Sequence, residues 1–122
     1  MGIQKWSEEI TVVELFDSPQ FADDVSALMD QLDDAPSDVV LNFAGVGFIN
    51  SSDVSKLLRL RKKMLGLRRR LLLCDVTSPV FGVIKTTGLD RMFDFAGDVA
   101  TALATVQLGR PVEADSAEDD DE

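Results

Sequence analysis

At 122 residues the chain has room for one domain around one core, and its 45% hydrophobic and 28% charged residues suit a folded globular protein. The net charge of −10 is unevenly spread: residues 113–122 carry seven acids and no base, which leaves −3 for residues 1–112. One cysteine and no histidine exclude an internal disulfide, a histidine-bearing zinc cluster and imidazole-relayed nucleophilic catalysis, so composition points away from an enzyme and calls for no metal or cofactor.

In chain order, a short strand over residues 3–6 is expected to pair with Ile10-Thr11-Val12-Val13-Glu14-Leu15-Phe16 across a turn near Ser7 and Glu8. Asp17-Ser18-Pro19 has the form of a helix start, a capping side chain followed by proline in the first turn. Phe21, Val25, Leu28, Met29 and Leu32 recur at helical spacing, which predicts an amphipathic helix over residues 19–32. Beyond a loop at 33–38, Val39-Val40-Leu41-Asn42-Phe43 reads as a buried central strand. The next connection ends in Asn50-Ser51-Ser52-Asp53, a dense N-cap signature. Val54, Leu57, Leu58, Leu60, Met64 and Leu65 follow on one broad side of a helix, with Gly66 as its expected stop.

Residues 69–76 predict another strand, and Thr77-Ser78-Pro79 starts a helix to about Thr86 that Gly88 closes. An edge strand over 90–95 and a last helix over 98–108, with Val99, Leu103 and Val106 inward, complete the order. Strands alternating with helices define an α/β domain over residues 1–111, with a mixed, mostly parallel sheet of four to five strands and about four helices. Residues 112–122 read as a disordered acidic tail, because such a run buries too little surface to offset its ordering entropy. Apolar runs fall far short of the ~20 residues of a membrane span. Residues 1–10 carry no secretory pattern, so a cytoplasmic protein is expected.

Four features could carry function. Gly45 and Gly47 mimic a phosphate loop, but a dinucleotide fingerprint needs a third glycine where Asn50 stands, so they read as turn glycines. Asn50-Ser51-Ser52-Asp53 opens a helix, where free N–H groups and the helix dipole favour an anion. A serine there can cap the helix or accept a phosphate, and the two roles are compatible. The basic stretch Arg59, Arg61, Lys62, Lys63, Arg68, Arg69 and Arg70 has no interleaved aromatic for base stacking, so it reads as a solvated face rather than a nucleic-acid site. Cys74, mid-strand, reads as a buried inert thiol.

Residues 39–43, Val46-Gly47-Phe48-Ile49-Asn50-Ser51-Ser52, the leucine-rich helix, Leu71-Leu72-Leu73-Cys74-Asp75-Val76-Thr77-Ser78-Pro79 and Thr87-Gly88-Leu89 together resemble a STAS domain. This is the domain of bacterial anti-sigma factor antagonists and of the cytoplasmic part of sulfate transporters. The resemblance covers about residues 8–108 and implies helices largely on one side of a small sheet, with no enzymatic activity. It implies a partner that is an anti-sigma factor/serine kinase, and a complex broken by serine phosphorylation at this helix start. The family pattern Asp-Ser-Ser/Thr-Gly falls on Asn50, Ser51, Ser52 and Asp53, which makes Ser51 the phosphoacceptor and Ser52 the alternative. Two of its four positions depart, since Asn50 replaces an acid and Asp53 a glycine.

The expected function is thus a regulatory interaction module that contacts its partner through Asn50, Ser51, Ser52, Asp53 and Lys56. No nucleic acid and no membrane insertion are expected, and the state is a monomer or weak homodimer. The alternative is a non-switching structural STAS subunit of a signalling scaffold or lipid-transport complex, with Asp53 as a permanent surface charge.

Overall fold

The computed structural model describes residues 2–109, so the expected acidic tail at 112–122 lies outside the described residues. Within them the alternation of apolar runs and amphipathic segments becomes β1 (Ile3–Lys5), β2 (Ile10–Phe16), α1 (Gln20–Asp34), β3 (Asp38–Gly45) and α2 (Ser51–Leu67). There follow β4 (Leu71–Cys74), α3 (Ser78–Thr86), a 3-10 turn (Leu89–Arg91), β5 (Asp94–Ala96) and α4 (Val99–Gly109). The five strands lie side by side in chain order. β1 pairs antiparallel with β2, and the remaining neighbours are parallel.

Right-handed crossovers between the parallel strands β2 to β5, which follow one another in chain order, put α1, α2 and α3 on one face. Their side chains Phe21, Leu28, Leu57, Leu60, Val80 and Ile84 bury Val13, Leu15, Leu41, Phe43 and Leu73. Among the described residues the opposite face is covered by α4 alone, whose Ala102 and Val106 sit with Ile10, Val40, Leu72 and Cys74. Both faces of β3 and β4 are therefore buried, which is why their sequences run apolar without alternation. A strand order without reversal also lacks the switch point where open α/β sheets form their ligand crevice.

Several boundaries differ from the sequence expectation. Gly66 does not stop α2, which continues to Leu67 because that side chain packs against the core. Arg68 then takes the left-handed turn, at φ 58°. Leu58 is half-buried, and the inward face is instead Asp53, Leu57, Leu60 and Met64. The edge strand is cut to Asp94–Ala96, since Gly88, at φ 79°, leads into the 3-10 turn that buries Leu89. Val99 and Leu103 are only half-buried, and Ala102 and Val106 form the inner stripe of α4. Asp98 precedes that helix, and the Thr101 amide donates to its carboxylate at 2.7 Å. That bond, with the Thr101 hydroxyl second, lowers the Asp98 pKa. Its contribution to stability is present near neutral pH and fades as pH falls through the lowered value.

The basic stretch is not all solvated face. Arg69 lies 3.3 Å from the carboxylate of buried Asp38, which also accepts the Arg70 amide at 2.9 Å. The same guanidinium donates to the Glu9 carbonyl at 3.2 Å, so it ties together the starts of β2, β3 and β4. Lys63 pairs with Asp33 across the two helices.

Candidate functional site

Helix α2 begins where the sequence places its cap. Asn50 is extended, and its side-chain oxygen accepts the Asp53 amide at 2.8 Å. The Asp53 carboxylate returns the bond by accepting the Asn50 amide at 3.1 Å, which closes a capping box. Its other oxygen accepts the Ser18 hydroxyl at 2.6 Å. Asp53 is 1% exposed, so the residue expected as a surface charge and partner contact points inward and holds the corner together. The reason is physical: a buried carboxylate is tolerated when hydrogen-bond donors and a helix N-terminus surround it.

Asp17 and Ser18, expected to cap α1, serve this corner instead. Pro19 precedes α1 without a side-chain capping bond. The Asp17 carboxylate accepts the Gly47 and Phe48 amides at 2.9 and 3.3 Å, 30 and 31 residues away in the chain. On the other flank the Thr77 hydroxyl donates to the Val46 carbonyl at 2.9 Å. Val46 and Ile49 are buried as anchors. Gly45 is demanded by close approach, because a Cβ there would lie 2.8 Å from the Phe16 ring, whereas one at Gly47 would meet open space. The sequence reading of both as turn glycines holds for Gly47 alone, since Gly45 ends β3 opposite Phe16.

Pinned from three sides, the loop presents Phe48, Asn50, Ser51 and Ser52 outward. The Phe48 ring is 62% exposed, and Phe16 stands at the neighbouring strand end. Sequence reasoning missed both aromatics, which stand exposed beside each other's backbone neighbours at this end of the sheet. Ser51 and Ser52 are the first two residues of α2, and neither hydroxyl is hydrogen-bonded among the described residues. Lys56 is one turn further on, half-buried, with its ammonium donating to the Ser26 hydroxyl at 2.9 Å. The five expected site residues thus share one corner, with Asn50, Ser51 and Ser52 on its surface. Lys56 leans toward α1, and Asp53 sits beneath.

Among the described residues, no group of three or more His, Cys, Asp or Glu could hold a metal ion. No helix there is long and apolar enough to cross a membrane. Cys74 is fully buried in β4. Burial first, and then the charges of Asp75 and Asp98, push its thiol up to about 12. With on the order of one thiol in ten thousand ionised at pH 8, the folded protein should resist iodoacetamide and react only after denaturation. Rapid alkylation of native protein, followed by mass spectrometry, would contradict the buried placement.

The arrangement is that of a small α/β domain presenting a rigid loop–helix corner with two free hydroxyls and an exposed phenyl ring. The STAS domain family matches residues 5–102, and the chain belongs to that family. A candidate anti-sigma factor antagonist from Thermotoga maritima has the same fold at 15% identity and a TM-score of 0.77, covering 86% of this chain and 92% of its own. The Bacillus cell fate determinant SpoIIAA, in its phosphorylated form, aligns at 20% identity and a TM-score of 0.66, over 85% of this chain and 96% of its own. A sulfate transporter family protein from Wolinella succinogenes aligns at 20% identity and 0.69, over 82% and 84%. Curated proteins gave no match to the sequence.

Proposed function

We propose that this protein is an anti-sigma factor antagonist, a non-enzymatic module of bacterial transcription control. It binds an anti-sigma factor/serine kinase in the cytoplasm and is switched by phosphorylation of Ser51. The observation that carries the reading is the Ser51 hydroxyl, exposed and unbonded on the first residue of α2, beside the exposed Phe48 on a corner held rigid from beneath. The phosphorylated SpoIIAA neighbour, which has the same fold, supports it. A phosphate there adds about −1.5 to −2 charges. The helix dipole favours it by ~0.3–1 kcal/mol, so the fold survives while the partner meets a new charge.

The test is a binding assay of wild type, Ser51→Ala and Ser51→Asp against the kinase partner, with circular dichroism as the control for folding. Ser51→Ala should bind as wild type does. Ser51→Asp should bind about tenfold more weakly or worse, because an unmatched interfacial charge costs several kcal/mol. Ser52→Asp separates the alternative acceptor. A second reading, a non-switching structural STAS subunit of a signalling scaffold or lipid-transport complex, is favoured by the exposed Asp17 carboxylate already held on the Gly47 and Phe48 amides of this corner. Equal binding by Ser51→Ala and Ser51→Asp would select it.

A further inference from the structure

At the pole of the sheet opposite the Ser51 corner, the last turns of α2, the start of β4 and the segment between the 3-10 turn and β5 enclose a cavity of about 340 Å³. Arg61, Arg69, Arg70 and Arg91 line it, against one carboxylate, Asp94. Arg69 is already paired with Glu9 and Asp38. Arg61, Arg70 and Arg91 make no ion pair among the described residues. The Arg61 Nε donates to the Met92 carbonyl at 2.6 Å, which fixes α2 against the segment leading into β5. The rest of the lining is apolar: Leu71 and Phe93 are buried, whereas Leu65 and Met92 stay 60% and 39% exposed.

Two features together select the ligand. The unpaired guanidinium groups call for carboxylates, which an arginine fork holds with two parallel hydrogen bonds. Leu65 and Met92 call for an apolar group, because a bare anion would leave both in water. A long polyanion or an anionic membrane fits poorly, since residues 1–112 carry −3 and repel at a distance what the arginines attract. A short segment senses only the charges within a Debye length, about 8 Å at physiological salt, and there the cations prevail.

We propose that this cavity is a second interaction site, which takes a short acidic segment of a partner protein with a bulky apolar residue between its carboxylates. The carboxylates pair with Arg70 and Arg91, and the apolar side chain covers Leu65 and Met92. The seventeen residues of α2 separate this pole from Ser51 by roughly 25 Å at 1.5 Å per residue. One protein at the Ser51 corner and another at the arginines can therefore be held at once. The domain is then an adaptor with two poles, and the second pole works whether or not Ser51 carries a phosphate.

The probe is a blocked pentapeptide of four acids around a central leucine, titrated into the isotope-labelled full-length chain. Amide signals of Leu65, Arg70, Arg91 and Met92 should shift saturably, while those of Gly47, Phe48 and Ser51 stay still. The same peptide with serine in place of leucine should bind about tenfold more weakly, the effect of leaving out one buried leucine. Arg91→Glu, a change at an exposed residue, should weaken binding about tenfold or more by setting a like charge against the peptide. Leu65→Ser should weaken it by a similar factor, with circular dichroism as the control for folding of both variants. Equal binding of the leucine and serine peptides would reduce the cavity to undirected charge attraction and overturn the proposal. So would the lack of a saturable shift, shifts as large at the Ser51 corner, or wild-type binding by folded Arg91→Glu. Vesicles containing phosphatidylserine form the last arm: sedimentation with them that Arg91→Glu abolishes would assign the surface to a membrane instead.

Discussion

Replacing Leu57 by alanine should cost about 2–5 kcal/mol of stability, whereas the neighbouring Leu58→Ala should cost about 1 kcal/mol. Leu57 has no exposed surface and stands in the core where α2 meets the sheet. Truncating it removes buried methyl groups and opens a cavity that strands fixed by their ladders cannot close. Leu58, one residue on, is rotated about 100° around the helix and keeps part of its surface in water. Sequence periodicity alone placed both on the inward side. Urea unfolding of the two variants separates them. Similar losses, or a larger loss for Leu58→Ala, would mean that α2 is rotated from the face described.

What was legible depended on how local the signal was. β3 and β4 announce themselves because strands buried on both faces have no polar side, so Val39-Val40-Leu41 and Leu71-Leu72-Leu73 admit few other readings. The end of α2 did not, because glycine is only a preference at a helix stop. The apolar Leu67 can draw the helix one residue past it and leave Arg68 in the left-handed conformation. At the site, Asn50 and Asp53 lie three residues apart and form the box that their spacing suggests. Asp17 and Ser18 carry an equally good local cap pattern, yet they serve a different helix start and a different loop. Side-chain chemistry states that an acceptor is present. Only tertiary structure decides which amide it meets.

That distinction decides what Asp53 does. Asp53→Ala should destabilise the domain by about 2–4 kcal/mol, since it removes a charged acceptor of two hydrogen bonds and half of a capping box. Asp53→Gly, which restores the family's pattern at that position, should lose as much and about 1 kcal/mol more for glycine in a helix. Ser18→Ala should cost about 1–3 kcal/mol by leaving one buried carboxylate oxygen without its donor. The two residues touch, so their losses should not add, and a coupling of about 0.5–3 kcal/mol is expected from the double variant. Urea unfolding gives the energies, and hydrogen exchange at Ser51, Ser52 and Asp53 reports whether the first turn has loosened. If Asp53→Ala is as stable as wild type, the carboxylate is not the strut described and stands free as a surface charge beside Ser51. If the expected losses appear, partner binding should weaken in Asp53→Ala with Ser51 intact, because the exposed hydroxyl and the Phe48 ring are presented together only while the corner is pinned.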